Sequence, residues 1–183
     1  QQALGSLEAS NRTLLEAEAL AKRGDGAEAD INVALGDLFF EAYREVADAQ
    51  ISAEGRYRAA LDLSPGHPQA LLGLFRLRRV NWKKSREPAS EIMAQALEGS
   101  PRSVGVLLAA CAYDLEDGKL PSARARLAEL DLLAGGRREV QTLHAALAWI
   151  EHRRERCEEL LASLALVDPG DARPEREVGR HLI

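Results

Sequence analysis

Cysteine and histidine are the residues of this chain best suited to bind a metal ion or to act in catalysis, and they are few. The sequence has 2 cysteines, Cys111 and Cys157, and 4 histidines, at positions 67, 144, 152 and 181. The cysteine spacing matches no metal-binding motif, and no His-Glu-x-x-His sequence occurs. His144 and His152 would be turned about 80° from each other around a helix. The sequence therefore predicts no metal site and no cofactor.

Sequence motifs typical of enzymes are also missing. The chain has no Gly-x-Ser-x-Gly sequence and no glycine-rich phosphate-binding loop. The segment Gly24-Asp25-Gly26 lacks the ligand spacing of a calcium loop, so we interpret it as a turn. We predict that this chain is not itself an enzyme.

Residues 76–86 carry the strongest concentration of charge, with six basic residues and one tryptophan among eleven. Such a segment could contact an acidic protein, or nucleic acid through phosphate contacts and base stacking. The alternative is a solvent-exposed helix face, and the net charge of −5 and the pI of about 5.5 favour it over nucleic acid. The predicted basic patch consists of Arg76, Arg79, Trp82, Lys83, Lys84 and Arg86.

The composition indicates that helices must position any site. Of the 183 residues, 31 are alanine and 29 are leucine, whereas aromatic residues make up only 4%. Alanine and leucine favour helices, and strands favour β-branched and aromatic residues. We therefore expect an all-α fold.

A pattern of small and large residues followed by proline or glycine recurs along the chain, at offsets of 0, 4, 7 and 12. The four copies are Ala53, Tyr57, Ala60 and Pro65; Ala89, Met93, Ala96 and Pro101; Ala123, Leu127, Leu130 and Gly135; and Cys157, Leu161, Leu164 and Pro169. The last residues of the copies are 36, 34 and 34 positions apart. A small residue lets two helices approach, a large one fills the space between them, and proline or glycine ends the helix. Each copy therefore predicts the second helix of a helical hairpin.

Small residues upstream of each copy indicate the first helix of the hairpin. Cys111 and Ala145 precede the third and fourth copies by 12 positions, whereas Gly36 and Gly73 precede the first and second by 17 and 16. Over roughly residues 30 to 183 the sequence resembles the tetratricopeptide repeat family. The resemblance is carried by Leu35, Gly36, Phe39, Ala53, Tyr57, Ala60, Pro65, Leu72, Gly73, Ala89, Met93, Ala96 and Pro101. It implies a right-handed superhelical solenoid of antiparallel helix pairs.

The repeat register divides the chain into six segments. We predict a leading helix in residues 1–26, repeats with an extended first helix in 27–67 and 68–102, repeats in 103–136 and 137–170, and the start of a fifth in 171–183. Because the sequence starts without methionine and stops within a predicted helix, we expect a segment of a longer protein. The high alanine, leucine and arginine content is consistent with a bacterial, GC-rich genome.

In this family partner peptides lie on the concave face formed by the first helices. The register places on that face Val33, Asp37, Phe40 and Glu41; His67, Ala70, Leu74, Leu77 and Arg78; Leu108, Ala112, Leu115 and Glu116; Glu139, Thr142, Ala146, Trp149 and Ile150; and Arg173, Arg176 and Arg180. From these we predict partner contacts for Phe40, Leu74, Leu77, Arg78, Leu115, Trp149, Arg176 and Arg180. Trp149 is the expected aromatic anchor, with packing between helices as its alternative. Val33, Asp37 and Leu71 stand where the family's chaperone-tail clamp needs lysine and asparagine, so we expect no such clamp.

These observations predict a protein–protein interaction scaffold that binds a peptide or a partner helix on the concave face. Two alternatives stay open: a regulatory or substrate-presenting segment of a larger enzyme with its catalytic domain outside this chain, and a nucleic-acid-associated repeat array. The uncharged stretch from Val104 to Tyr113 is about half of the roughly 20 residues that a membrane-spanning helix needs, so we expect no span. Self-association is a further expectation, and the sequence leaves the cellular compartment open.

Overall fold

The computed structural model describes residues 27–42, 48–80 and 88–179, together with Arg12 and Glu16. Within these ranges the protein is all-helical, as the composition predicts, and contains no strand. The helices are α1 (Glu28–Glu41), α2 (Ala49–Leu63), α3 (Pro68–Val80), α4 (Ala89–Gly99), α5 (Val104–Glu116), α6 (Leu120–Ala134), α7 (Arg138–Ile150), α8 (Arg154–Val167) and α9 (Arg173–Gly179). The predicted leading helix in residues 1–26 lies outside the described residues, apart from Arg12 and Glu16.

The predicted terminating residues coincide with the ends of the second helices. Helices α2, α4 and α8 each end two residues before a proline, and α6 ends directly before Gly135. The residue that precedes each proline has left the helical conformation, with φ of −143° at Ser64, −146° at Ser100 and −148° at Asp168. Steric conflict with the proline ring disfavours the helical conformation at that position. A local property of the sequence thus sets the length of three helices.

The helices form two compact units, Gln1–Pro101 and Arg102–Ile183. In the first unit α1 packs against α2, α3 packs against α4, and α3 also contacts both α1 and α2. In the second unit α5 packs against α6 and α7 against α8, while α7 also contacts α5 and α6. Helix α9 packs against α7 and α8. Each unit is therefore built from helix pairs whose first helices contact each other.

Tyr57 occupies the centre of the first unit and is fully buried. A Cβ atom added to Gly36 on α1 or to Gly73 on α3 would lie less than 3.0 Å from the Tyr57 ring. The tyrosine hydroxyl donates a hydrogen bond to Oδ1 of Asp37 at 2.7 Å. Burial, together with this bond, raises the pKa of Tyr57, so the hydroxyl remains a donor. One ring of α2 therefore fills the space that two glycines leave between α1 and α3.

The two cysteines lie in the core of the second unit and are free thiols. The thiol of Cys111 donates to the backbone carbonyl of Ala123 at 3.6 Å. Burial raises the pKa of Cys111 to about 12, and burial likewise raises the pKa of Cys157. Both cysteines act as small packing residues between helices, as their place in the repeat predicts.

In the part of the chain that the structure describes, every helix is too short or too polar to cross a bilayer.

Candidate functional site

The second unit contains a cavity of about 410 Å³ between the first helices of its hairpins. Its lining comes from three helices: Gly105, Leu108, Ala109 and Ala112 of α5; Arg138, Glu139, Thr142 and Leu143 of α7; and Asp171, Arg173, Pro174 and Glu177 in and just before α9. We call this cavity the groove. It is the strongest candidate site because it combines concave shape, apolar surface and a few charged groups.

Two rows of equivalent repeat positions line the groove. Gly105, Glu139 and Arg173 are 34 residues apart, and so are Ala109, Leu143 and Glu177. The same helix position in three successive first helices therefore faces one shared space. The groove follows from the period that the sequence shows.

The floor of the groove is apolar. Small side chains on α5 leave room above the helix, Leu108 adds apolar surface beside them, and Pro174 is fully buried behind the groove wall. Leu108 and Ala109 are half-buried and lie within reach of a ligand, whereas Leu143 is buried beneath. Apolar surface that a ligand could cover is the main source of binding energy at such a site.

Arg138 joins the start of α7 to the end of α8. Its Nη1 donates to the carbonyl of Leu164 at 3.1 Å, and its Nη2 donates to the carbonyl of Asp168 at 3.5 Å. The carbonyl of Leu164 also accepts from the backbone amide of Asp168 at 3.3 Å, so the guanidinium adds a second donor at the end of α8. Its Nε lies 2.8 Å from Oδ2 of Asp171, which leads into α9.

Asp171 fixes the start of α9, which forms one wall of the groove. Its Oδ1 accepts hydrogen bonds from the backbone amide of Arg173 at 3.0 Å and from Nε of Arg173 at 2.7 Å. The side chain is only 8% exposed. The hydrogen bonds from Arg173, with Arg138 nearby, hold the pKa of Asp171 well below its ordinary value. The carboxylate is therefore ionised at neutral pH and shared between two guanidinium groups.

Glu139 is the exposed acidic residue at the groove rim. Its carboxylate pairs with the guanidinium of Arg137 at 3.4 Å. A hydrogen bond from its own backbone amide, in the first turn of α7, and the nearby Arg137 lower its pKa. The groove thus has an apolar floor and an ionised rim.

Five residues that the register places on the concave face line this groove: Leu108, Ala112, Glu139, Thr142 and Arg173. The more specific predictions of partner contacts fall elsewhere. Leu74, Leu77 and Leu115 are at most 2% exposed and pack in the core.

Arg78 is also buried, in the first unit. It donates to both carboxylate oxygens of Glu54, at 2.7 and 2.9 Å. These bonds lower the pKa of Glu54 to about 2. In this structure Arg78 joins α3 to α2 by a paired, charge-assisted contact.

The other predicted contact residues lie at or near the surface but do not line the groove. Phe40 and Trp149 are half-buried, and the guanidinium of Arg154 lies 5.7 Å from the centroid of the Trp149 ring system. Arg176 is exposed on α9. Arg180 lies outside the described residues.

The basic patch is described only in part. Trp82, Lys83, Lys84 and Arg86 lie outside the described residues. The guanidinium of Arg76 lies 5.3 Å from the centroid of the Phe40 ring and pairs with Asp37. Arg79 lies over the ring of Phe75 at 5.7 Å. The structure thus brings together Phe40 and Arg76, which the sequence assigned to two different sites.

Sequence reasoning missed seven of the twelve groove residues: Gly105, Ala109, Arg138, Leu143, Asp171, Pro174 and Glu177. Aspartate just before a helix, with proline in its first turn, is a helix-start signal that points to Asp171 and Pro174. No comparable signal marks Arg138, because its partners lie 26 to 33 residues further along the chain.

In the described ranges no three His, Cys, Asp or Glu side chains come close enough together to hold a metal ion. No protein-family model matches the chain, and no curated protein matches it.

Proposed function

We propose that the chain is a repeat protein of the tetratricopeptide type, with its helix pairs arranged in a right-handed superhelix. We further propose that it acts as a protein-interaction scaffold, in which the groove between α5, α7 and α9 binds a peptide or a helix of a partner. The observation that carries the proposal is the lining of one apolar groove by equivalent positions of three successive first helices.

The size of the groove supports a side chain as the bound group. Ligand sites commonly enclose roughly 300–1,000 Å³, with a mostly apolar lining and a few polar groups. The groove volume of about 410 Å³ lies within that range. One or two large apolar side chains of a partner would fill such a space.

The length of the groove supports a chain segment over a compact small molecule. The small residues Gly105, Ala109 and Ala112 run along one face of α5 for about two turns, or roughly 10 Å. An extended peptide covers that distance with about three residues. Glu139 and Arg173 at the rim would then lie beside the flanking residues of the segment.

A displayed library of random peptides tests the proposal. We expect the wild-type protein to enrich peptides that share an apolar residue, and Ala109→Trp to lose their binding because the indole fills the groove. Ala125→Trp is the matched control, since Ala125 is exposed on α6 and does not line the groove. Thermal unfolding of both variants checks that each is folded. If the enriched peptides bind Ala109→Trp as tightly as they bind the wild type, the proposal is contradicted. It is also contradicted if the selection enriches no peptide.

A further inference from the structure

Helix α6 has two apolar faces, and one of them points into solvent. Its buried residues are Ala123, Leu127 and Leu130. On the opposite side of the helix, exposed apolar residues follow one another at intervals of four, three and four: Pro121, Ala125, Ala128 and Leu132. Leu132 is 89% exposed. Apolar residues at such intervals form the seam along which two helices pack together. We call these four residues the outer face of α6.

The other second helices carry charged residues on this face. The equivalent positions, all of them exposed, are Ile51, Gly55, Arg58 and Asp62 on α2; Glu91, Ala94 and Glu98 on α4; and Glu155, Glu159, Ala162 and Leu166 on α8. Each of these helices thus has at least two charged residues there, whereas α6 has none. A helix face that meets only water is ordinarily polar. The difference marks the outer face of α6 as a surface that another helix covers.

The charges on one flank of the outer face make it complementary to itself. Arg124 and Asp131 lie on this flank about two helical turns apart, and their side chains are 58% and 44% exposed. Both pair with α7 of their own chain, Arg124 with Glu151 and Asp131 with His144. In an antiparallel pair of α6 helices, Arg124 of each copy would lie beside Asp131 of the other. The same two side chains thus supply both halves of two symmetric ion pairs.

We infer that the outer face of α6 binds a second copy of this chain, in a symmetric antiparallel dimer. Ala125 of one copy lies against Ala128 of the other, which lets the two helices approach closely, and Leu132 lies against Pro121. The two helix dipoles oppose each other in this arrangement. A single pair of short helices offers less contact area than most stable dimers have, so the association is weak and depends on concentration.

Sedimentation velocity over a concentration series tests this inference. The mean mass of the wild type should rise with concentration from the 20.0 kDa of one chain toward twice that value. Ala125→Glu and Leu132→Glu should remain monomeric over the same range. Both variants introduce the glutamate that α4 has at the equivalent position, so the fold should be kept, and thermal unfolding checks this. Leu166→Glu is the matched control, because Leu166 is 85% exposed at the same repeat position of α8, and it should dimerise as the wild type does.

Disulfide formation between introduced cysteines tests the orientation of the two helices. Ser122 and Glu129 lie on the other flank of the outer face, and the antiparallel arrangement places Ser122 of one copy beside Glu129 of the other. A mixture of Ser122→Cys and Glu129→Cys should therefore cross-link under copper-phenanthroline oxidation, whereas either variant alone should cross-link much less. The two native cysteines are buried and should not contribute.

Several results would overturn the inference. They are a wild type that keeps the mass of one chain throughout the series, association of Ala125→Glu and Leu132→Glu at the wild-type level, and loss of association in Leu166→Glu as well. Cross-linking of Ser122→Cys with itself in preference to Glu129→Cys would overturn the antiparallel arrangement. The outer face does not line the groove, so Ala109→Trp should dimerise normally, and the inference stands or falls separately from the proposed function.

Discussion

Replacing Gly73 by alanine should destabilise the protein only while the Tyr57 ring is present. A Cβ atom at this position would lie 2.7 Å or less from three atoms of the ring, whereas ordinary contacts begin near 3.4 Å. The ring is fully buried and its hydroxyl is held by Asp37, so it has little space in which to move. The clash therefore has to be relieved by strain in the ring or in α3.

The magnitude follows from two opposing effects. Overpacking of a filled core costs about 1–3 kcal/mol. Alanine in place of glycine within a helix stabilises by about 0.5–1 kcal/mol. We therefore expect Gly73→Ala to lower the free energy of unfolding by about 1 kcal/mol in the wild type, within a range of about 0–2.5 kcal/mol. In a Tyr57→Ala background, where the ring is gone, the same change should raise it by about 0.5–1 kcal/mol.

Urea denaturation followed by circular dichroism measures all four proteins of this double-mutant cycle. Gly55→Ala is the matched control, because Gly55 lies in the middle of α2 with no atom within 4 Å of an added Cβ. It should stabilise the protein by a similar amount in both backgrounds. The reasoning is refuted if Gly73→Ala stabilises the wild type as Gly55→Ala does, or if it destabilises the Tyr57→Ala background as much as the wild type.

Two further predictions concern ionisable groups with shifted pKa values, the half-buried Glu54 and the buried Cys111. Because the pKa of Glu54 is lowered from 4.5 to about 2, its ionised form adds stability above pH 4.5 that is lost as the pH falls toward 2. Glu54→Gln should therefore be less stable than the wild type at pH 7 in urea denaturation, and the difference should shrink between pH 4.5 and pH 2. Because burial raises the pKa of Cys111 to about 12, a thiol reagent at pH 8 should modify it only at the rate at which the second unit opens, so the rate should rise with urea.

Each of these predictions has an outcome that would contradict it. A Glu54→Gln difference in stability that stays constant from pH 7 to pH 2 would mean that folding does not lower the pKa of Glu54. Modification of Cys111 as fast as that of a free thiol in the absence of urea would place its sulfur at the surface.

The sequence predicts best those features that depend on neighbouring residues. Pro65, Pro101 and Pro169 determine the end of a helix through steric contact with the residue before them, so the pattern alone locates these ends. The period makes Gly105, Glu139 and Arg173 equivalent positions, and the register placed Glu139 and Arg173 of this row on the concave face; it placed none of Ala109, Leu143 and Glu177 there.

Features that depend on distant packing were not predictable. Ala70 to Phe75 are buried in succession because α3 contacts α1, α2 and α4 on different sides. A helix with so much of its circumference covered has no single buried face, so its periodicity does not separate core residues such as Leu74 from surface residues. The contact between Arg138 and Asp171 likewise joins residues that no local rule relates.

The position of Tyr57 has a consequence for how the first unit opens. Arrays of repeats often lose one hairpin at a time, because each hairpin meets only its neighbours through an interface of modest strength. Here the Tyr57 ring, which belongs to the first hairpin, packs against Gly36 of α1 and Gly73 of α3. Detaching α3 would expose the ring to water and break the packing of α1 in the same event. The two hairpins of this unit should therefore behave as one cooperative folding unit, not as two separable repeats.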